Sequence, residues 1–175
     1  MKTPKKGWNL RPLTERAREA LFNILGTKVV DSTFLDLFAG TGAVGIEALS
    51  RGAKIAFFVE KMQSTVALIR KNLELTGFSD QAEVYALDVI RALNLFKRKK
   101  AKFDIIFMGA PYDSPILAKA LKKFSETEIL NDNGLLIVEH RRQHKIEGVY
   151  GGLEKFREEH YGETVLSFYK LQTEE

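Results

Sequence analysis

Short apolar runs of two different periods alternate along this chain, and that alternation limits the folds open to it more than any other feature. Runs rich in β-branched and aromatic residues at positions 33–38, 54–59, 83–87, 103–108 and 135–139 have the length of buried strands. Between them, positions 43–50, 62–76, 89–96 and 114–125 carry helical spacing. The second of these sets Met62, Val66, Ile69 and Leu73 on one face with Gly77 just past its end, and the last opens on Ser114-Pro115, a cap followed by a first-turn proline. Strand followed by helix, repeated, predicts a parallel sheet with right-handed crossovers and helices on both faces. Ahead of the first strand, Ala17, Ala20, Leu21, Ile24 and Leu25 recur at helical spacing with Thr14 as cap. The end of the chain changes character: positions 154–160 and 163–171 are separated by Tyr161-Gly162, with no room for a helix, and predict an antiparallel hairpin at the sheet edge. The expected architecture is α/β, a Rossmann-like and mostly parallel sheet of seven strands. At 175 residues the length predicts a single domain over 1–175, with 1–13 as a basic N-terminal arm.

Composition excludes several classes of function. The chain has no cysteine, so disulfides, thiolate metal sites and thiol catalysis are closed to it, and a reducing, cytoplasmic setting fits. It contains no apolar run of the roughly 18 residues that a membrane span needs and no secretory leader, so neither membrane nor export is expected. The net charge of +4 is modest, but its carriers cluster. Lys2, Lys5, Lys6, Arg11, Arg16 and Arg18 precede or open the first helix against Glu15 alone, Lys97, Arg98, Lys99, Lys100 and Lys102 form a second run, and Arg141, Arg142, His144 and Lys145 a third. Brought together by the fold, three such runs make a phosphate-binding surface; a solvated face is an equal reading of the second and third. His140, His144 and His160 lack metal-site spacing and fit edge or loop positions, so no metal is assigned.

The chemistry starts where the first strand runs into Gly40-Thr41-Gly42-Ala43-Val44-Gly45 and then a helix. Glycines in a Gly-x-Gly-x-x-Gly turn let a ligand approach the backbone, and Glu60, twenty residues past Gly40 at the end of the next strand, is placed to accept from ribose hydroxyls. The pattern indicates a nucleoside cofactor. Asp36, just before the turn, sits badly beside a dinucleotide pyrophosphate but suits the cationic amino and sulfonium groups of S-adenosylmethionine. A dehydrogenase would also need a substrate domain for which the chain has no residues left. Asp88, after the third strand, contacts adenine or caps the helix at Val89, and both readings stand. Nucleophile-elbow and Walker patterns are absent from the sequence.

A family resemblance runs through residues 10–25, Asp36-Leu37-Phe38-Ala39-Gly40-Thr41-Gly42, Ile46-Glu47-Ala48-Leu49-Ser50-Arg51-Gly52, Lys71-Asn72-Leu73, Phe103-Asp104-Ile105-Ile106-Phe107 and Tyr161-Gly162-Glu163-Thr164-Val165-Leu166. With nearly its whole length, the chain resembles the RsmD-type methyltransferases, which methylate the exocyclic N2 of a guanine in small-subunit ribosomal RNA. The resemblance implies an enzyme that takes S-adenosylmethionine, releases S-adenosylhomocysteine and acts on ribosomal RNA or the small-subunit particle; a monomer is expected because the sequence shows no dimerisation element. It implies that Asp36, Phe38, Ala39, Gly40, Thr41 and Gly42 hold the methionine part, Glu60 with Lys61 the ribose, and Asp88 with Val89 the adenine. Lys5, Lys6, Arg11, Arg16 and Arg18 are the expected RNA contacts, with Trp8 either stacked on a base or packed on the domain. Only nine residues precede Leu10, where the family has a short basic strand pair.

The target base is implied to sit at Gly109-Ala110-Pro111-Tyr112, the expected catalytic segment. Here the family reads Asp-Pro-Pro or Asn-Pro-Pro followed by Tyr or Phe, so the side-chain acceptor is missing while the aromatic ring is kept. Three readings stay open. Asp113 or Glu139 supplies the acceptor; the chain binds cofactor and RNA with little or no turnover; or Gly-Ala replaces an original Asp-Pro in this sequence.

Overall fold

The structure, a computed structural model, describes residues 1–2 and 13–174. Helix α1 (Glu15–Leu25) begins as expected, the Thr14 hydroxyl accepting from the Ala17 amide at 3.2 Å. There follow β1 (Thr33–Leu37), α2 (Ala43–Ser50), β2 (Ile55–Val59), α3 (Gln63–Thr76), β3 (Ala82–Tyr85), α4 (Val89–Arg98), β4 (Phe103–Met108), α5 (Ile116–Ser125), β5 (Leu130–Arg141), β6 (Val149–Tyr150), β7 (Leu153–Tyr161) and β8 (Thr164–Leu171). Gly77 closes α3 with φ +79°, a left-handed cap that a side chain would strain. Helix α5 starts one residue later than the Ser114 cap predicts: Pro115 is itself the cap residue, and the Ser114 hydroxyl accepts from the Ile116 amide at 3.3 Å.

Among the described residues, eight strands form one sheet in the order β3-β2-β1-β4-β5-β8-β7-β6. Pairs among β1 to β5 are parallel, while β8 lies antiparallel to β5 and β7 antiparallel to β8, so the C-terminal hairpin extends the sheet as expected. The eighth strand, beyond the seven expected, is the two-residue β6, too short to leave a periodic signal. Alternation across the strands builds two cores. Phe34, Phe58, Ile105, Phe107 and Ile137 pack with α1, α2 and α3, and Leu35, Leu37, Ile106, Met108, Leu136 and Val138 with α4 and α5. The order reverses between β1 and β4, which opens a crevice beyond their C-terminal ends, the usual ligand position in a doubly wound sheet. Asp36, Gly109 and Glu139 fall in step with Phe34, Phe107 and Ile137, on the face toward α1 to α3.

Candidate active site

At that crevice a cleft of about 610 Å³ is lined by Asp36, Phe38, Ala39, Gly40, Thr41, Glu60, Lys61, Asp88, Val89, Gly109, Ala110, Pro111, Tyr112 and Glu139, among others. Its size is that of a small-molecule site. Nine of the ten residues expected around the cofactor and all four of the expected catalytic segment therefore face one space; Gly42 stands behind the loop as the left-handed cap of α2, with φ +83°.

The loop is held open by its backbone. Phe38 has φ +62° and Gly40 φ +56°. The Ala39 amide donates to the Val59 carbonyl at 2.9 Å, and the Gly40 amide to Oε2 of Glu60 at 3.1 Å. Glu60 also accepts from the Met62 amide through Oε1 at 3.2 Å, so its carboxylate is fixed in orientation with lone pairs left toward the cleft. Gly45 brings α2 against β2 so closely that a Cβ there would lie 2.4 Å from the Phe58 ring. Below the loop, the side-chain amide of the fully buried Asn72 donates to the Thr41 carbonyl at 3.0 Å and also pairs with both backbone groups of Lys2.

Asp36 is the cleft's most demanding residue. It is buried, its Oδ2 accepts from the Gly45 amide at 3.2 Å, and its Oδ1 has no hydrogen-bond partner among the described residues. Burial pushes its pKa up to about 8 against the pull of the Gly45 amide, and the charges of Glu60 and Glu139 push the same way. A buried carboxylate oxygen without a donor is costly, and a cationic group in the cleft relieves it. The donor set thus fits the ammonium end of S-adenosylmethionine. Asp88 caps α4, its Oδ1 accepting from the Arg91 amide at 3.0 Å, and it also lines the cleft beside Leu87 and Val89. Its capping role is visible in the geometry, and an edge toward adenine is compatible with it.

Across the cleft, Tyr112 is fixed at both ends. Its hydroxyl donates to Oε1 of Glu139 at 2.8 Å and lies 3.0 Å from the Thr164 hydroxyl, while the Arg141 guanidinium sits 5.3 Å from its ring centre. Glu139 is 6% exposed, and burial raises its pKa to about 7 despite the Tyr112 hydrogen bond. Asp113 also lines the cleft, but its side chain is 69% exposed and pairs with Arg141 at 3.1 Å. Of the two acceptors considered for the missing carboxyl, only Glu139 reaches the cleft with a buried side chain. Thr164 and Asn72 were not legible as site residues, and Arg141, named only within a basic run, was not legible as the cover of the Tyr112 ring, since each acts through a neighbour distant in sequence.

Among the described residues, the second basic run lies apart from the first and third. Arg16 and Arg18 open α1, and Arg141 and Arg142 end β5, all at the cleft end of the sheet, whereas Lys97 to Lys102 lie where α4 ends and β4 begins, at the opposite end. Lys5, Lys6, Arg11 and Trp8 lie outside the described residues. His140 corrects the expectation of an edge or loop role: it is buried in β5, with Nε2 2.8 Å from the Ser167 hydroxyl, and burial lowers its pKa. Among the described residues, no helix is long and apolar enough to cross a membrane.

This strand order, with a glycine loop after β1 and acids ending β1 and β2, defines the Rossmann-like S-adenosylmethionine-dependent methyltransferase fold. Within that class the chain belongs to the family described as Conserved hypothetical protein 95, the RsmD family, which matches residues 1–170. YlbH of Bacillus subtilis (strain 168) is 34% identical over 164 residues, 94% of this chain and 89% of that protein. Ribosomal RNA small subunit methyltransferase D of Escherichia coli (strain K12) is 30% identical over 165 residues, 94% of this chain and 81% of that one. Among solved structures, hypothetical protein TTHA0928 of Thermus thermophilus superposes with a TM-score of 0.84 at 31% identity, covering 98% of this chain and 92% of that one. An RNA methyltransferase from Salinibacter ruber, in complex with S-adenosyl-L-homocysteine, has a TM-score of 0.70 at 15% identity, a likeness of fold alone.

Proposed function

We propose that this chain is a methyltransferase that uses S-adenosylmethionine to methylate ribosomal RNA at the exocyclic N2 of a guanine in the small subunit. The observation that carries the reading is Asp36, whose buried Oδ1 lacks a partner at the mouth of a glycine loop. A cationic methionine head supplies what that oxygen needs. The family relatives carry ribosomal RNA methyltransferase names over most of this chain, which favours turnover over the alternative of binding alone.

When bound, the cofactor supplies an electrophilic sulfonium methyl and leaves as a thioether. Asp36 and the backbone of Phe38 to Thr41 hold the methionine part, Glu60 accepts from the ribose hydroxyls with Lys61 beside it, and Leu87, Val89 and Asp88 flank the adenine. Guanine N2 is a poor nucleophile because its lone pair is delocalised into the ring. Acceptors aimed at its two N–H groups favour pyramidalisation and turn the lone pair toward the methyl. The Ala110 carbonyl is one such acceptor, and the Tyr112 ring offers a stacking surface for a base that has left its helix. Arg16, Arg18, Arg141 and Arg142 lie toward the cleft end of the sheet and suit RNA phosphates, with Lys5, Lys6 and Arg11 as further candidates. Action as a monomer on the small-subunit particle, in the cytoplasm, completes the reading.

The test is transfer from labelled S-adenosylmethionine to unmodified small-subunit particles, with the product nucleotide mapped. Label on guanine N2 is expected. Cofactor binding with no label in RNA would overturn the reading.

A further inference from the structure

Gly109 leaves a gap in the chemistry but not in the packing. A Cβ on Gly109 would lie 2.8 Å from Oε2 of Glu139 and 2.9 Å from the Phe107 ring, so the ground that a side chain at 109 would occupy is already filled by a carboxylate from the neighbouring strand. Glu139 reaches it because β4 and β5 run parallel, with Met108 opposite Val138, which places positions 109 and 139 side by side at the strand ends. Its other oxygen is anchored by the Tyr112 hydroxyl at 2.8 Å, which the Thr164 hydroxyl backs at 3.0 Å. Oε2 makes no hydrogen bond among the described residues, and the side chain lines the cleft.

We propose that Glu139 is a catalytic residue of this chain, its Oε2 standing where an acidic side chain at position 109 would stand, accepting an N–H of the guanine N2 and then its proton. The inference rests on the methyltransferase reading above and says how the chain works with Gly109-Ala110 in its catalytic segment. As N2 bonds to the methyl carbon, the carbon–sulfur bond breaks and its electron pair stays on sulfur. The N2 proton passes to Oε2, giving neutral methylguanine, a thioether and a neutral Glu139 that solvent resets. A carboxyl whose pKa burial raises to about 7 is suited to that transfer near neutral pH. Tyr112 is then a positioning residue for Glu139 as well as a stacking surface.

Two measurements decide. In single-turnover transfer to unmodified small-subunit particles, Glu139→Gln should slow the reaction by about 10² to 10³ without weakening S-adenosylhomocysteine binding or lowering the melting temperature. Gly109→Asp alone should bring no gain, because its Cβ displaces Oε2, whereas Gly109→Asp in a Glu139→Ala background should recover part of the rate that Glu139→Ala loses. Independently of turnover, the carbon-13 signal of the Glu139 carboxyl in the chain loaded with S-adenosylhomocysteine should move with guanosine 5′-monophosphate and not with inosine 5′-monophosphate, which lacks only the N2 amino group. If Glu139→Gln transfers as fast as the unaltered chain, or both nucleotides move the signal alike, Glu139 is not the acceptor although the methyltransferase reading stands. An unaltered chain that labels no guanine N2 overturns both. Should Glu139→Gln fail to fold, the nucleotide comparison on the unaltered chain still decides.

Discussion

The side-chain amide of Asn72 in α3 donates to the backbone carbonyl of Thr41 at 3.0 Å, tying the centre of a helix to the glycine loop. The same amide group accepts from the Lys2 amide at 2.6 Å and donates to its carbonyl at 3.2 Å, so the N-terminal residues and the loop share one buried anchor. Replacing Asn72 by Leu leaves the Thr41 carbonyl and the Lys2 backbone without partners, at a cost of about 1–3 kcal/mol for a buried unpaired group. Asn72→Leu should therefore lower the denaturation midpoint and weaken S-adenosylhomocysteine binding together, as calorimetry on the same preparation would show. Loss of stability with unchanged affinity would mean that the loop does not depend on this anchor.

Gly45 offers a sharper steric test. A methyl there would stand 2.4 Å from one Phe58 ring carbon and 2.7 Å from another, both on a side chain that is fully buried. Overpacking of this kind costs about 1–3 kcal/mol, since α2 must lift from β2 or the ring must leave its rotamer. Gly45→Ala should unfold at lower urea, and Phe58→Leu in the same chain should return part of the loss, a coupling that two independent defects would not give.

Two acids in the cleft carry large upward shifts in the ligand-free chain. Asp36 titrates at about 8 instead of 3.8 and Glu139 at about 7 instead of 4.5, chiefly because burial disfavours their charges. At these two positions the folded chain therefore holds more protons than the unfolded one between about pH 4 and 8, and their contribution to stability falls as pH rises through that window, while His140 and Glu158, both shifted down, act in the opposite sense. Binding a cationic methionine head to ionised Asp36 releases the proton it held. Affinity for S-adenosylhomocysteine should thus climb from pH 6 toward 8, by at most about tenfold per unit for one proton. The neighbouring charges are Glu60 and Glu139, and Asp36→Asn should flatten both profiles while Glu139→Gln flattens the stability profile in part. A slope unchanged in Asp36→Asn would assign the proton elsewhere.

Tyr112 lowers the pKa of Glu139 by donating to it, so removing the hydroxyl raises that pKa further. The charged groups near the pair are Asp36 on β1 and Arg141 and Asp113 beside the Tyr112 ring. Tyr112→Phe keeps the ring and should move the acid limb of the transfer rate to higher pH, with the rate recovering at alkaline pH. Tyr112→Ala should lose rate at every pH because the stacking surface goes too.

The sequence was most legible where local chemistry and fold agree. Thr14 caps α1, Gly77 closes α3, and the strand-loop-helix around Gly40 brings Asp36 and Glu60 into one cleft, because each signal lies within about one turn or one βαβ unit. What stayed hidden depends on strand register. Glu139 was one of two acceptors the sequence offered, but that it and not Asp113 fills the ground beside Gly109 follows from the β4–β5 pairing and from side-chain packing, which no local spacing encodes. The same holds for His140, whose burial comes from β8 lying against β5, and for Thr164, brought to Tyr112 by that pairing.

The split of the basic runs makes the last prediction. Arg16, Arg18, Arg141 and Arg142 stand at the cleft end, while Lys97, Arg98, Lys99, Lys100 and Lys102 lie at the far end of the sheet. Each phosphate contact removed should reduce the slope of log affinity against log salt by about 0.7–0.9. Replacing Arg16, Arg18 and Arg142 by Gln should flatten that slope for ribosomal RNA and weaken binding for every sequence tested. Arg141 is left intact in this variant because it pairs with Asp113 and covers the Tyr112 ring, so its loss would mix docking with site structure. The same number of substitutions among Lys97, Lys99 and Lys100 should leave the slope unchanged. If the second set flattens the slope and the first does not, RNA approaches the N-terminal edge of the strands, and the target base cannot reach Tyr112 without a wrap around the whole domain.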